Sequence, residues 1–273
     1  MLALSGVGVV CGLGFLTYVR TTPVPFWVPS TPTPVPTPGP KRLIVDASGS
    51  GDYKTIASAI LGARPQDTII LRPGTYKEAP EIDHDVQIVG EGGRSKVIVE
   101  ATSGGYVFTL TGGSATLTGL TIRIVGTGPV DQKSGAIYVR AGTPVIDDCD
   151  LTSSAGSAVY ILGAGANPTI RNCTMRNSRD YGVFVSEQGQ GTVEKCVISG
   201  NAKQGVRISE GGNPTVRDCE IRENWESGVF VLDQGQGTFT GNTLTGNAKV
   251  VWNIQPTAGK VTRKDNKPNG TWW

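Results

Sequence analysis

Two stretches of this 273-residue chain are nearly the same text. Residues 182–203 read Gly-Val-Phe-Val-Ser-Glu-Gln-Gly-Gln-Gly-Thr-Val-Glu-Lys-Cys-Val-Ile-Ser-Gly-Asn-Ala-Lys. Residues 228–249 read Gly-Val-Phe-Val-Leu-Asp-Gln-Gly-Gln-Gly-Thr-Phe-Thr-Gly-Asn-Thr-Leu-Thr-Gly-Asn-Ala-Lys. A third copy opens at Gly205, and looser ones begin near Ala136 and Ala158. Starts at 182, 205 and 228 set a period of 23. A unit this short cannot bury a hydrophobic face alone, so it must stack on its own copies.

Within each copy apolar residues alternate with others: Ile137 and Val139, Val159 and Ile161, Val183 and Val185, Val206 and Ile208, Val229 and Val231. Period two is the mark of a strand with one face inward. A turn such as Gly212-Asn213-Pro214 follows, then a second strand with inward positions at Val216, Cys219 and Ile221. If each strand pairs with its equivalent one copy later, about 4.8 Å away, the stack has a continuous core and a satisfied backbone. The expected fold is therefore all-β, a single-stranded right-handed parallel β-helix (solenoid) over residues 42–273.

Residues 23 apart in sequence then become neighbours in columns. Cys149, Cys173, Cys196 and Cys219, continued by Asn242 and preceded by Leu120, form an inward ladder. Tetrahedral thiolate sites need converging ligands, so the ladder is read as buried free thiols and no metal site is expected there; a bridge between stacked neighbours stays open. Asn201, Asn224 and Asn247 make a second column, suited to amides bonding along the stack. Asp147, Arg171, Glu194 and Arg217 alternate in sign and should satisfy one another. Both ends of a solenoid need lids. Residues 54–63, with Ile56, Ala59, Ile60 and Ala63 at helical spacing, fit an N-terminal capping helix, while Trp252, Trp272 and Trp273 could plug the far end.

Ahead of the repeats, residues 1–20 carry no charge before Arg20 and are long enough to span a bilayer, so they are expected to form an uncleaved transmembrane anchor. Residues 21–41 are a Pro/Thr-rich linker, a polyproline II spacer of up to ~60 Å. Such a stalk suits an extracytoplasmic or cell-surface module on a membrane, although Arg20, Lys41 and Arg42 lean the other way by the positive-inside rule. With 18% charged residues and a net charge of +2, nothing calls for a nucleic-acid partner. The single histidine, His84, removes most mechanisms that need a paired imidazole.

The copies written Gly-Asn-Pro-Thr-Val, Gly-Gln-Gly-Thr and Gly-Val-Phe-Val resemble right-handed β-helix repeats of the pectin-lyase-like superfamily, in its carbohydrate-binding and sugar-hydrolase group. The likeness covers roughly residues 43–255. Gly49-Ser50-Gly51-Asp52-Tyr53-Lys54-Thr55-Ile56 and Pro73-Gly74-Thr75-Tyr76 also look like the opening of pectin methylesterases. The resemblance implies a fold; catalysis has to be sought residue by residue. Of the methylesterase motifs Gln-Asp-Thr, Asp-Phe-Ile-Phe-Gly and Arg-Pro-Trp, only Gln66-Asp67-Thr68 matches by letter, just after the lid helix. Of the polygalacturonase motifs Asn-Thr-Asp, Asp-Asp and Gly-His-Gly, only Asp147-Asp148 is present. Neither reaction is supported.

By alternation Tyr138, Tyr160, Phe184, Arg207 and Phe230 point outward in one column, a ladder of flat groups on which the C–H faces of sugars could stack. Cross-strand stacking for its own sake, or cover by the segment 125–133, is the plainer explanation. Glu187, Glu210 and Asp233 form an acidic column at the strand-to-turn edge, either solubilising turn acids, a calcium-like oxygen site or paired carboxylates for acid–base work. No cofactor is otherwise implied. The leading expectation is a monomeric, membrane-tethered module that binds polysaccharide or another glycan and leans away from catalysis. The alternatives are a polysaccharide lyase, hydrolase or epimerase using the acidic column or Asp147 and Asp148, and a structural or protein-binding spacer.

Overall fold

The computed structural model describes residues 39–102, 104–126 and 134–268. Three parallel sheets run along the stack, one of ten strands and two of eight, and in each the neighbours are equivalent strands of successive coils. The chain is thus a right-handed parallel β-solenoid. The first sheet begins with Arg42–Val45 and ends with Val261–Lys264. The second runs from Gly74–Lys77 to Thr243–Thr245, and the third from Glu81–Ile82 to Trp252–Ile254.

The 23-residue period is the register itself. Thr169, Thr192, Thr215 and Thr238 pair in turn along the first sheet, as do Val183, Val206 and Val229 along the third. Each inward position is sealed: Ile146, Ile170, Val193, Val216 and Phe239 are all fully buried. The earlier coils hold the same register with irregular lengths. Their paired positions Thr68, Gln87, Thr116 and Val145 lie 19, 29 and 29 residues apart.

Two polar ladders run inside the wall. Asn201 Nδ2 donates to Asn224 Oδ1 and Asn224 Nδ2 to Asn247 Oδ1, both at 2.9 Å, while each of these amides also donates to a strand carbonyl. The four cysteines of the ladder, Cys149, Cys173, Cys196 and Cys219, are free and buried. Cys173, Cys196 and Cys219 each donate their thiol to the carbonyl two residues back, at 3.1, 3.1 and 3.2 Å. Where Cys219 gives way to Asn242, the amide accepts from the Cys219 N–H at 3.0 Å and donates to Val216 O at 2.9 Å, so the column becomes a second asparagine ladder ending at Asn266. Burial pushes the Cys149 thiol well up, which keeps it a neutral donor.

The lid helix spans Ile56–Gly62, shorter at both ends than the spacing suggested. Thr55 is its N-cap and accepts from the Ser58 N–H, and the Glu78 carboxylate takes the N–H groups of Ile56 and Ala57 at 2.9 and 3.0 Å. Those bonds satisfy donors a first turn leaves open. Ala63 is the C-cap instead of a further turn. At the other end Trp252 is buried edge-on against Phe239 at 5.1 Å and donates to Pro268 O at 2.9 Å. Trp272 and Trp273, the apolar segment 1–20 and all but the last three residues of the linker 21–41 lie outside the described residues. Among the described residues no helix is long and apolar enough to cross a membrane.

Candidate functional site

The outward side of the third sheet carries the ladder in register. Tyr138 pairs with Tyr160, Tyr160 with Phe184, Phe184 with Arg207 and Arg207 with Phe230, between Thr109 before and Asn253 after. Neighbouring side chains on one face of a parallel sheet sit one rung apart, close enough for flat groups to touch. Tyr160 and Phe184 meet edge-to-face at 5.8 Å.

Tyr160 departs from the expected exposed ladder. It is only 3% exposed. Its ring lies over Gly135, where a Cβ would come within 2.9 Å of it, and its hydroxyl accepts from the Ser157 N–H at 3.4 Å. Tyr106 closes over it edge-on at 5.5 Å and stacks tilted on Tyr138 at 4.6 Å. Tyr160 is therefore part of the wall beneath the ladder, a floor and not a contact surface. Burial raises the hydroxyl pKa of both Tyr106 and Tyr160.

Tyr138, Phe184, Arg207 and Phe230 are half-buried, with one side open. The Arg207 guanidinium stands 5.6 Å from the Phe184 ring centre, 5.4 Å from Phe230 and 5.2 Å from Tyr181, and its Nη1 donates to the Tyr181 hydroxyl at 3.1 Å. Three rings and one hydrogen bond hold this side chain in place, each ring contact worth about 0.5–1 kcal/mol at a solvated site. Arg207 has no carboxylate partner among the described residues. Lys203 adds a second cation 5.2 Å over Tyr181, already paired with Asp180 at 2.7 Å. Tyr181 stands two residues ahead of its strand, Val183–Ser186, and Tyr106 opens the strand Tyr106–Leu110 in a coil before the regular repeats, so neither falls in the outward column that the repeat alternation marks. The signal available was an aromatic at or just ahead of a strand start, as in Tyr181-Gly182-Val183.

The acidic column lies at the end of the same strands. Glu187, Glu210 and Asp233 have φ of 53°, 47° and 46°, and Gln188, Gly211 and Gln234 after them are also positive. With Gly189, Gly212 and Gly235 donating back three residues at 2.9, 2.9 and 2.8 Å, these are type I′ turns. The acids are turn formers first. The Glu210 carboxylate accepts from Ser186 Oγ at 2.9 Å. Among the described residues no three side chains of His, Cys, Asp and Glu gather closely enough to hold a metal ion.

The other candidate acids are tied into ion pairs. Asp147 accepts from Arg171 Nε at 3.0 Å and Asn172 Nδ2 at 2.8 Å; burial works to raise its pKa, and those donors outweigh it and hold the carboxyl low. Asp148 faces Arg94 at 3.6 Å. The sign-alternating column behaves as expected, with Arg171 on Asp147 and Arg217 on Glu194. Asp67 of the Gln-Asp-Thr triplet is 2% exposed and accepts the Lys41 and Arg64 N–H groups at 2.6 and 2.9 Å, a structural task beside the lid.

The sequence matches the family described as right handed beta helix region over residues 106–266, more than half of the chain. The chain belongs to that family. A pectinesterase of Daucus carota is 31% identical over 95 residues, 32% of this chain and 28% of that protein, so the match spans less than a third of the relative's length. Among solved structures, pectate lyase Pel9A superposes with a TM-score of 0.63 at 15% identity, covering 76% of this chain and 64% of that one. A pectin methylesterase mutant in complex with a hexasaccharide gives 0.57 at 16%, covering 77% and 80%. These structural likenesses concern the fold.

Proposed function

We propose that the third-sheet face binds an extended polysaccharide and that the chain is a binding module without catalysis of its own. The observation that carries this is the Arg207 guanidinium, held among Tyr181, Phe184 and Phe230 with its charge uncompensated by any described carboxylate. Tyr138, Phe184 and Phe230 offer faces for sugar C–H groups, and Arg207 offers donors for ring or carboxylate oxygens. The carrot pectinesterase match and the hexasaccharide held by a protein of the same fold support a carbohydrate ligand. Asp147 and Asp148 are engaged with arginines, and the acids beside the ladder serve type I′ turns, which favours binding over cleavage. The module occupies residues 42–273, carried on the linker 21–41 by a transmembrane anchor at 1–20, outside the cytoplasm and as a monomer.

The test is glycan-array and calorimetric binding by the full chain and by a Phe184→Ala, Phe230→Ala double variant with unchanged circular dichroism. Binding by the parent and an approximately tenfold or greater loss in the variant is expected. An intact chain that binds no glycan removes this reading. Shortened or unsaturated products from uronic-acid polymers, with calcium at alkaline pH, would replace it with the lyase or hydrolase alternative.

A further inference from the structure

A separate constellation sits at the corner between the second and third sheets. Backbone hydrogen bonds stack Arg179, Ala202, Trp225 and Ala248 in one column: their N–H groups donate to Ser153, Ser178, Asn201 and Asn224 carbonyls at 2.8, 2.8, 2.9 and 2.9 Å. Large and small side chains alternate. Ala202 leaves a gap between Arg179 and Trp225, which stand two rungs, about 10 Å, apart at the backbone. That gap is a groove of about 630 Å³ lined by Arg179, Ala202 and Trp225 together with Ser178, Gly200 and Glu223.

Two properties of its lining are unusual for this molecule. Trp225 is 71% exposed, although its stem is rigid: Asn224 beside it is fully buried in the amide ladder. Ala202 and Ala248 fill the same position one rung either side, so the stack itself requires no large side chain there. Arg179 makes no ion pair among the described residues, whereas Arg171, Arg176, Arg217 and Arg222 in the surrounding coils are all paired. The lining acid Glu223 is taken by Arg222 at 2.8 Å, which leaves Arg179 as the uncompensated charge of the groove. Ion pairs Lys203–Asp180 and Lys249–Glu226, at 2.7 and 3.0 Å, stand between this groove and the aromatic ladder.

We propose that this groove is a second saccharide subsite, which takes one acidic sugar unit with its C–H face on the Trp225 indole and its carboxylate on Arg179. The proposal rests on the carbohydrate-binding reading and adds a site that the ladder does not include. A flat apolar platform beside a free guanidinium selects a ligand with a ring face and an anion on the same unit.

The experiment titrates the full chain with a galacturonic acid tetramer, with neutral cellotetraose and with adenosine monophosphate. Acrylamide quenching of Trp225 is read as the difference between parent and Trp225→Phe. The acidic tetramer should shield Trp225, and Trp225→Ala should weaken its binding about tenfold. Arg179→Ala should abolish the preference for the acidic over the neutral tetramer. The Phe184→Ala, Phe230→Ala variant should still show shielding of Trp225. If the parent binds the tetramer and Trp225→Ala binds it equally well, the subsite is refuted while the ladder stands. If the parent binds no saccharide, the carbohydrate reading falls with it. Tighter, Trp225-dependent binding of adenosine monophosphate would show the ligand class to be wrong.

Discussion

Replacing Asn224 by Ala tests whether the solenoid wall depends on its amide ladder. Asn224 Oδ1 accepts from the Asn201 N–H at 3.1 Å and from Asn201 Nδ2 at 2.9 Å, and Asn224 Nδ2 supplies Ile198 O at 3.2 Å. Both asparagines are fully buried, so no solvent replaces what is removed. The Asn201 amide keeps Met175 O at 3.2 Å, which leaves the Asn201 N–H and the Ile198 carbonyl as the groups that lose most. At about 1–3 kcal/mol for each orphaned buried group, the substitution should cost about 3 kcal/mol. Urea unfolding followed by far-ultraviolet circular dichroism would read this as a lower midpoint at unchanged slope. Because stacked repeats can unfold piecemeal, hydrogen exchange of amides 198–225 should show the loss concentrated there. The Asn201→Ala, Asn224→Ala double variant should cost less than the two single changes together, by about 1 kcal/mol, since it also removes one stranded partner. A single-variant cost below about 1 kcal/mol, or additivity within about 0.5 kcal/mol, would refute the ladder as a stabilising element.

Three further outcomes are expected. Asp67 has its folded-state pKa lowered by the Arg64 and Lys41 N–H groups, so its stabilisation is present above the unfolded value of about 3.9 and is lost as pH falls through the folded one. The stability difference between parent and Asp67→Asn should accordingly be present at neutral pH and shrink to nothing in acid; a difference that persists in acid would contradict this. The four cysteines of the ladder are at most 2% exposed, and thiol reagents should label none of Cys149, Cys173, Cys196 and Cys219 until denaturant opens the stack. Asp147→Asn should cost less than about 1 kcal/mol, since the Arg171 partner is largely solvated, and a thermal melt shifted by more than a few degrees would contradict that.

The fold was readable where repetition was regular. Val183, Val206 and Val229 are 23 apart and pair in space, and the ion-pair, cysteine and asparagine columns follow from the same count. Before Ala136 the period gives no guide, because coils of 19 and 29 residues keep register through turns of different length. The order of the ladder follows from alternation, and Tyr138, Phe184, Arg207 and Phe230 lie half-buried in that register on one face. The burial of Tyr160 could not be read, since it depends on Gly135, one rung away in space, lacking the Cβ that would push the ring outward. Tyr181 is not legible because alternation locates side chains within a strand and says nothing of one that leans over it from two residues ahead, and Tyr106 is not because it opens the strand of a coil that lies before the regular repeats. Nor does a sequence period distinguish an acid that forms a type I′ turn from one placed for a ligand, as with Glu187, Glu210 and Asp233.

Because every coil touches only the coil before and the coil after, the chain can lengthen by whole units without disturbing what is already built. An in-frame duplication of residues 205–227 would carry a further copy of Arg207 and of Trp225 into the stack and leave both lids as they are. Growth by slippage in the gene is therefore nearly neutral for folding, yet, on the two sites proposed above, it adds a landing place on two faces at once. If those sites bind as proposed, such a protein is tuned to longer ligands by counting rungs, before a single contact residue has been altered.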